Sequence, residues 1–213
     1  MSKKSFGKFI LFLLATAIVA AIGFGIYHHL NDIKALIYPD QYTTVETTTD
    51  NEEMGSVGEI NRPQEIGGAV RITATPEEGY KFWAFFNQDG ELLSLENPFD
   101  YKVVEGEKVV AKFYNPETEV IVTVLKEVTN LDTDKVETTI LSTEKKDIDS
   151  SVELTAEAGE NETFVGFYNE DGEELETEAS YNFTASESIT ITMKFTYTEP
   201  TQEVEEWEKE RLY

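Results

Sequence analysis

The chain has 213 residues, 17 Lys+Arg against 42 Asp+Glu, a net charge of −25 at pH 7 and no cysteine. Three of the basic residues (Lys3, Lys4, Lys8) and no acid lie in the first 31 positions, which leaves 14 basic against 42 acidic residues, net −28, after them. So anionic a body excludes nucleic-acid binding, which needs basic stripes to displace counterions; the missing cysteine excludes disulfide scaffolds, zinc ribbons and thiol catalysis; and an aromatic content of 12% is too high for a disordered polyelectrolyte.

Residues 1–8 form a basic segment, and the run that follows, Phe9 to Tyr27, reads FILFLLATAIVAAIGFGIY without a charge. As a helix it is about 28 Å long, close to the roughly 30 Å hydrocarbon core, so it predicts a membrane-spanning signal anchor over 9–27. The lysines before it and Asp32 after it set a cytoplasmic N-terminus and an extracellular C-terminal body, as the positive-inside bias requires. The alternative is a cleaved signal peptide and a secreted chain, with Ala15-Thr16-Ala17 as the small-residue site; the apolar run continues well past it, which favours the anchor. His28 and His29 stand at the membrane exit, where an adjacent pair cannot share a helix face or a metal. Residues 28–41 are read as a linker that extends the helix through Ile33, Leu36 and Ile37 until Pro39 stops it.

From residue 42 the dominant feature is duplication. Sliding the chain by 82 positions lays Val70–Phe113 over Val152–Phe195 without a gap. Thr73-Ala74, Phe82, Phe85, Asn87, Asp89-Gly90-Glu91, Leu93 and Lys112-Phe113 recur as Thr155-Ala156, Phe164, Phe167, Asn169, Asp171-Gly172-Glu173, Leu175 and Lys194-Phe195. A self-match of this length is the mark of tandem modules. Within each copy the hydrophobic period is two: Val70, Ile72, Ala74 in the first, Val152, Leu154, Ala156 in the second, and Ile189, Ile191, Met193, Phe195 at the end. Aromatic strands are expected at Phe82–Phe86 and Phe164–Tyr168, then at Phe99–Val103 and Tyr181–Ala185. Upstream pairs are expected at Tyr42–Thr48 and Val57–Ile60 in the first copy, and at Glu119–Val128 and Val136–Thr143 in the second. No segment inside a copy has ten residues at helical spacing. The fold class is therefore mainly β: an N-terminal transmembrane helix, two tandem small antiparallel or mixed β-sheet repeat domains (42–114 and 119–197) joined by the linker 115–118, and an acidic tail, 198–213, with room for a short helix.

Residues 68–93, GAVRITATPEEGYKFWAFFNQDGELL, resemble the divergent internalin B-repeat family of bacterial surface proteins. Thr73-Ala74, Pro76, Gly79-Tyr80, Phe82, Gly90, Phe99-x-Tyr101 and Ala111-x-Phe113 carry the likeness. The second copy keeps Thr155-Ala156, Phe164-x-Gly166, Gly172, Tyr181-x-Phe183 and Met193-x-Phe195, but has Ala158 and Asn161-Glu162 in place of Pro and Gly-Tyr. Phe85 and Phe167 stand where the family has tryptophan, and Ala84 where it has glycine. The resemblance implies small β modules displayed on Gram-positive cells, with no catalytic residues and no cofactor.

The candidate sites are few. The N-x-D-G-E segments, Asn87–Glu91 and Asn169–Glu173, are rich in oxygen, but Phe85 and Phe167 occupy the first ligand position of a calcium loop, so hairpin turns are the better reading. With 42 acids, any carboxylate pair is uninformative, and no pair is set beside a histidine or lysine that would tune it. Two tryptophans remain as candidate partner contacts, Trp83 and Trp207. The face of Trp83 is left open by the run Phe82–Phe86: if Phe82, Ala84 and Phe86 face one side by strict alternation, Trp83 and Phe85 face the other, where Trp83 packs against the neighbouring module or meets a ligand. The expected role is that of a membrane-anchored, extracellular, non-enzymatic spacer or adhesin with a protein or cell-wall polymer as partner. The alternatives are a subunit of an envelope assembly or the accessory part of an extracellular hydrolase or metal-dependent enzyme.

Overall fold

The computed structural model describes residues 30–200. The proposed anchor at 9–27 and Trp207 lie outside the described residues, and among those described no helix is long and apolar enough to cross a membrane. One short helix, α1 (Leu30–Ile37), opens the described chain and is followed by a 3₁₀ turn at Pro39–Gln41. The helix stops where proline was expected to stop it, because the residue before proline is pushed out of the helical region. Everything after it is strand and turn, in two units divided between Phe113 and Tyr114.

The first unit runs β1 (Tyr42–Thr43), β2 (Glu46–Thr49), β3 (Gly55–Val57), β4 (Gln64–Glu65), β5 (Ala69–Ile72), β6 (Ala74–Pro76), β7 (Lys81–Phe86), β8 (Leu92–Ser94), β9 (Phe99–Lys102) and β10 (Lys108–Tyr114). Its main sheet has the order β2-β10-β7-β8, with β2 and β10 parallel. Three two-stranded ribbons complete it: β1 with β4, β3 with β6 and β5 with β9. The alternating apolar residues point into one core, where Val45, Phe85, Val109, Ala111 and Phe113 of the sheet meet Ile72, Tyr101 and Val103 of the ribbon layer.

The second unit runs β11 (Glu119–Asn130), β12 (Lys135–Asp147), β13 (Ser150–Thr155), β14 (Glu162–Tyr168), β15 (Glu174–Glu176), β16 (Ser180–Ala185) and β17 (Ile189–Tyr197). Its sheet repeats the plan as β11-β17-β14-β15, again with a parallel pair of first and last strands, and β12 adds outside β11. The β13–β16 ribbon covers one face and closes the core of Val122, Phe167, Ile191 and Phe195.

Three differences from the sequence reading have physical causes. Val70 to Ala74 is not one strand: it breaks at Thr73, because β5 pairs with β9 while β6 turns to β3. The side chain of Asn97 holds the break, accepting from the Ala74 N–H at 3.0 Å and donating to the Ala74 carbonyl at 2.8 Å. In the second unit a backbone carbonyl does that work, Ala156 N–H donating to Ala179 at 2.8 Å. The upstream strands also differ between copies: β3 joins β6, whereas β11 and β12 form a long hairpin, extending beyond the expected Val136–Thr143 to Lys135–Asp147.

The third difference concerns Trp83. Its strand does not alternate cleanly, since Phe82 and Phe85 stack together in the core at 4.8 Å while Trp83 meets Phe86 on the outer face at 5.0 Å. Trp83 therefore does not share a face with Phe85, as strict alternation would have it. The second unit makes the cause visible: β14 slips one residue against β17 between Phe164 and Gly166, so Val165, the counterpart of Trp83, is an unpaired bulge residue. A bulge inserts one residue and brings i and i+3 onto one face, as Phe164 and Phe167, 5.0 Å apart, confirm.

Candidate interaction surfaces

On the outer face of the first sheet, Trp83 and Phe86 lie under one cation. Lys112 Nζ sits 4.2 Å from the Phe86 ring centre and 5.5 Å from that of Trp83. The counterpart lysine repeats the arrangement, Lys194 Nζ standing 4.7 Å over Tyr168 and 3.3 Å from Glu127. This accounts for the duplicated Lys-Phe pair: on a strand its members point to opposite faces, so the lysine stacks on an outer aromatic while Phe113 or Phe195 fills the core. Each such contact contributes about 0.5–2 kcal/mol. Trp83 is half-buried in this arrangement, a rigid aromatic edge set beside a lysine. The signal was in the sequence, in the 82-residue spacing of the two lysines, but only the bulge tells which aromatics they meet.

The N-x-D-G-E segments are turns in which the asparagine and glutamate side chains clasp one another. Asn87 Oδ1 accepts from the N–H groups of Asp89 at 3.0 Å and Glu91 at 2.9 Å, and its amide donates to Glu91 Oε2 at 2.8 Å. Asn169 and Glu173 repeat the clasp at 2.8 and 3.0 Å. Gly90 and Gly172 take φ of +84° and +78°, the left-handed position that a three-residue hairpin loop ends on. Among the described residues no group of three or more His, Cys, Asp or Glu is placed to hold a metal ion.

One polar pair in the first core has no counterpart in the second. Tyr101 is a core residue whose part-buried hydroxyl donates to Glu107 Oε2 at 2.7 Å and accepts from the Val104 N–H at 3.3 Å. Burial, and then the bond to Glu107, push the phenol up to about 12. At the corresponding positions stand Phe183 and Ile189, both packed on the core. Donor and acceptor have thus been replaced together by two apolar groups, the exchange that leaves no polar atom stranded.

The second unit carries an open groove of about 290 Å³ where the core face of its sheet runs beyond the covering ribbon, lined by Val128, Asn130, Lys135, Glu137, Glu162 and Tyr197. At its margin the lining residue Glu162 is paired, its Oε2 lying 2.6 Å from Lys126 Nζ, which stands 4.6 Å above the Phe195 ring. The lysine, helped by the Gly159 N–H, holds the Glu162 carboxyl below its ordinary range. Both charges are therefore committed to one another, which makes the pair a brace for the rim.

Residues 45–117 match the family model described as the divergent InlB B-repeat domain. The matched stretch contains β2 to β10, that is, the whole of the first unit's main sheet. Over this stretch, about a third of its length, the chain is similar to the divergent InlB B-repeat family. The second unit repeats the sheet order, the asparagine-glutamate turn clasp and the lysine-aromatic stack of that B-repeat. No curated protein and no solved structure matches the chain significantly.

Proposed function

We propose that the protein is a membrane-anchored bacterial surface protein whose two B-repeat units stand outside the cell in a non-enzymatic role, as a spacer or an adhesive module. The observation that carries this reading is the B-repeat match over residues 45–117. The apolar run at 9–27, with its three preceding lysines, supports an anchor with a cytoplasmic N-terminus, and the net −28 beyond it supports a solvated exterior body. The polar groups with displaced proton affinities also have structural work, Tyr101 and Glu162 each being held by a neighbour within its own unit.

Protease shaving of intact cells, followed by mass measurement of released and retained fragments, tests the topology. A retained fragment spanning the first 30 or so residues is the expected result; a mature chain that begins inside the apolar run would replace the anchor by secretion. To separate binder from spacer, Trp83→Ala and Trp207→Ala are compared with the parent in pull-downs from the cell surface. An unchanged set of captured proteins and wall polymers favours the spacer.

A further inference from the structure

The longest edge strand among the described residues is β12, thirteen residues at the margin of its five-stranded sheet. Exposed edges of this length are ready templates for another strand, and natural proteins blunt them with bulges and lysines. Here the bulge and two of the strand's three lysines fall in one half. Leu141 is a bulge, lying between the pairs Val124 with Ser142 and Leu125 with Ile140, and beyond it come Lys145 and Lys146. The other half, Lys135 to Ile140, is regularly paired to β11 on its inner side and exposed throughout. It displays Val136 at 55% and Ile140 at 40% exposure, alternate positions on the outer face of the sheet.

We propose that this half of β12 pairs antiparallel with the same segment of a second copy of the chain, about a two-fold axis at Thr138. That register sets Val136 opposite Ile140 of the other copy twice, Glu137 opposite Thr139, and no charge opposite its like. Shifting so that Glu137 meets its own copy, or so that Ile140 meets Thr138, loses the apolar pairs, and cross-strand pairs are what fix a register. In the chosen register Leu125, Ile140 and the second copy's Val136 form one apolar row across the joined sheets. An isologous contact of this kind closes on itself and stops at two copies. Charge also selects the place: β12 carries three lysines against three acids, a neutral seam in a chain of net −25. The rest of the surface repels, so association strengthens as salt screens it.

The absence of cysteine gives a direct test. Full-length Thr138→Cys, in detergent micelles under mild oxidation, is expected to form a disulfide-linked dimer, because facing residues on the axis have Cβ atoms about 5 Å apart. Lys135→Cys, equally exposed on the same strand, is expected to give at least about tenfold less, since its two copies would lie roughly 20 Å apart along the seam. The Thr138→Cys yield should rise when ionic strength goes from about 0.05 to about 0.5 M, and should be lost on adding Ile140→Lys, with the circular dichroism unchanged. Equal yields from both cysteines, no dimer from Thr138→Cys, a dimer that falls with salt, or one that survives Ile140→Lys with the fold intact would each overturn the proposal. None of these outcomes depends on which way the chain crosses a membrane.

Discussion

Gly55→Ala offers a test in which local and tertiary reasoning disagree in sign. Gly55 lies in β3 with an ordinary backbone conformation, so an alanine there, judged locally, should gain about 0.5–1 kcal/mol by restricting the unfolded chain. In the folded unit a Cβ at this position would lie 2.5 Å from Phe113 Cζ, 2.6 Å from Cε1 and 2.8 Å from Cε2. The ring has nowhere to go: Phe113 is fully buried on β10, with Phe82 edge-on at 6.2 Å and the rest of the core around it. Overpacking of this kind costs about 1–3 kcal/mol, and the closeness of three ring atoms puts the expectation near the upper value. Subtracting the local gain leaves a net loss of about 2 kcal/mol. Urea unfolding of the full chain, followed by Trp83 fluorescence in a Trp207→Phe background, reads the first unit. A narrower side chain at 113 should relieve the clash, so in a Phe113→Leu background Gly55→Ala should cost about 1–2 kcal/mol less, a coupling that a double-mutant cycle resolves. If Gly55→Ala stabilises the unit, or if its cost is the same with Leu at 113, the steric account fails.

Asn97→Ala should destabilise the first unit by about 2–3 kcal/mol, because it strands the N–H and carbonyl of a residue that is only 4% exposed; amide exchange at Ala74 should accelerate with it. The counterpart Ala179→Asn should stay within about 0.5 kcal/mol of the parent, since there the bond is made by the backbone carbonyl. Tyr101 predicts a response to alkali. Its folded phenol ionises at about 12 against 10.0 for a free one, so its stabilising contribution is complete below the unfolded value and fades as pH rises toward the folded one. At full weight that interval corresponds to about 2.7 kcal/mol, and screening at the partly solvated hydroxyl reduces it to on the order of 1–2 kcal/mol. Denaturation midpoints of the parent should fall more steeply across this window than those of Tyr101→Phe; parallel curves would contradict the assignment.

Several parts of the fold were legible before any coordinates. The period-two runs, the glycine turns and the 82-residue offset are short-range or repetitive signals, and each became a strand, a hairpin or a repeated sheet. The candidate contact Trp83 was legible as a residue but not as a surface. Its face breaks strict alternation, as does that of its counterpart Val165 at the bulge of the second unit, and a bulge is a property of two strands in register, which no run of five residues such as FWAFF encodes. Asn97 and Ala74 lie 23 positions apart, so nothing local marked that asparagine as the splint of a broken strand. Gly55 was likewise silent, because its meaning is the ring of Phe113 pressed against it.

The sequence by itself determined that this is an apolar run followed by an acidic body of two β units. Such statements follow from composition, hydrophobic period and self-similarity, all of which act over a few residues or by plain repetition. The tertiary structure alone decided which aromatics meet the lysines, why one core holds Tyr101 with Glu107 where the other holds Phe183 with Ile189, and which edge is left open. Those outcomes depend on strand partners distant in sequence, and the parallel pairing of β2 with β10 and of β11 with β17 makes the distant partners the neighbours that count.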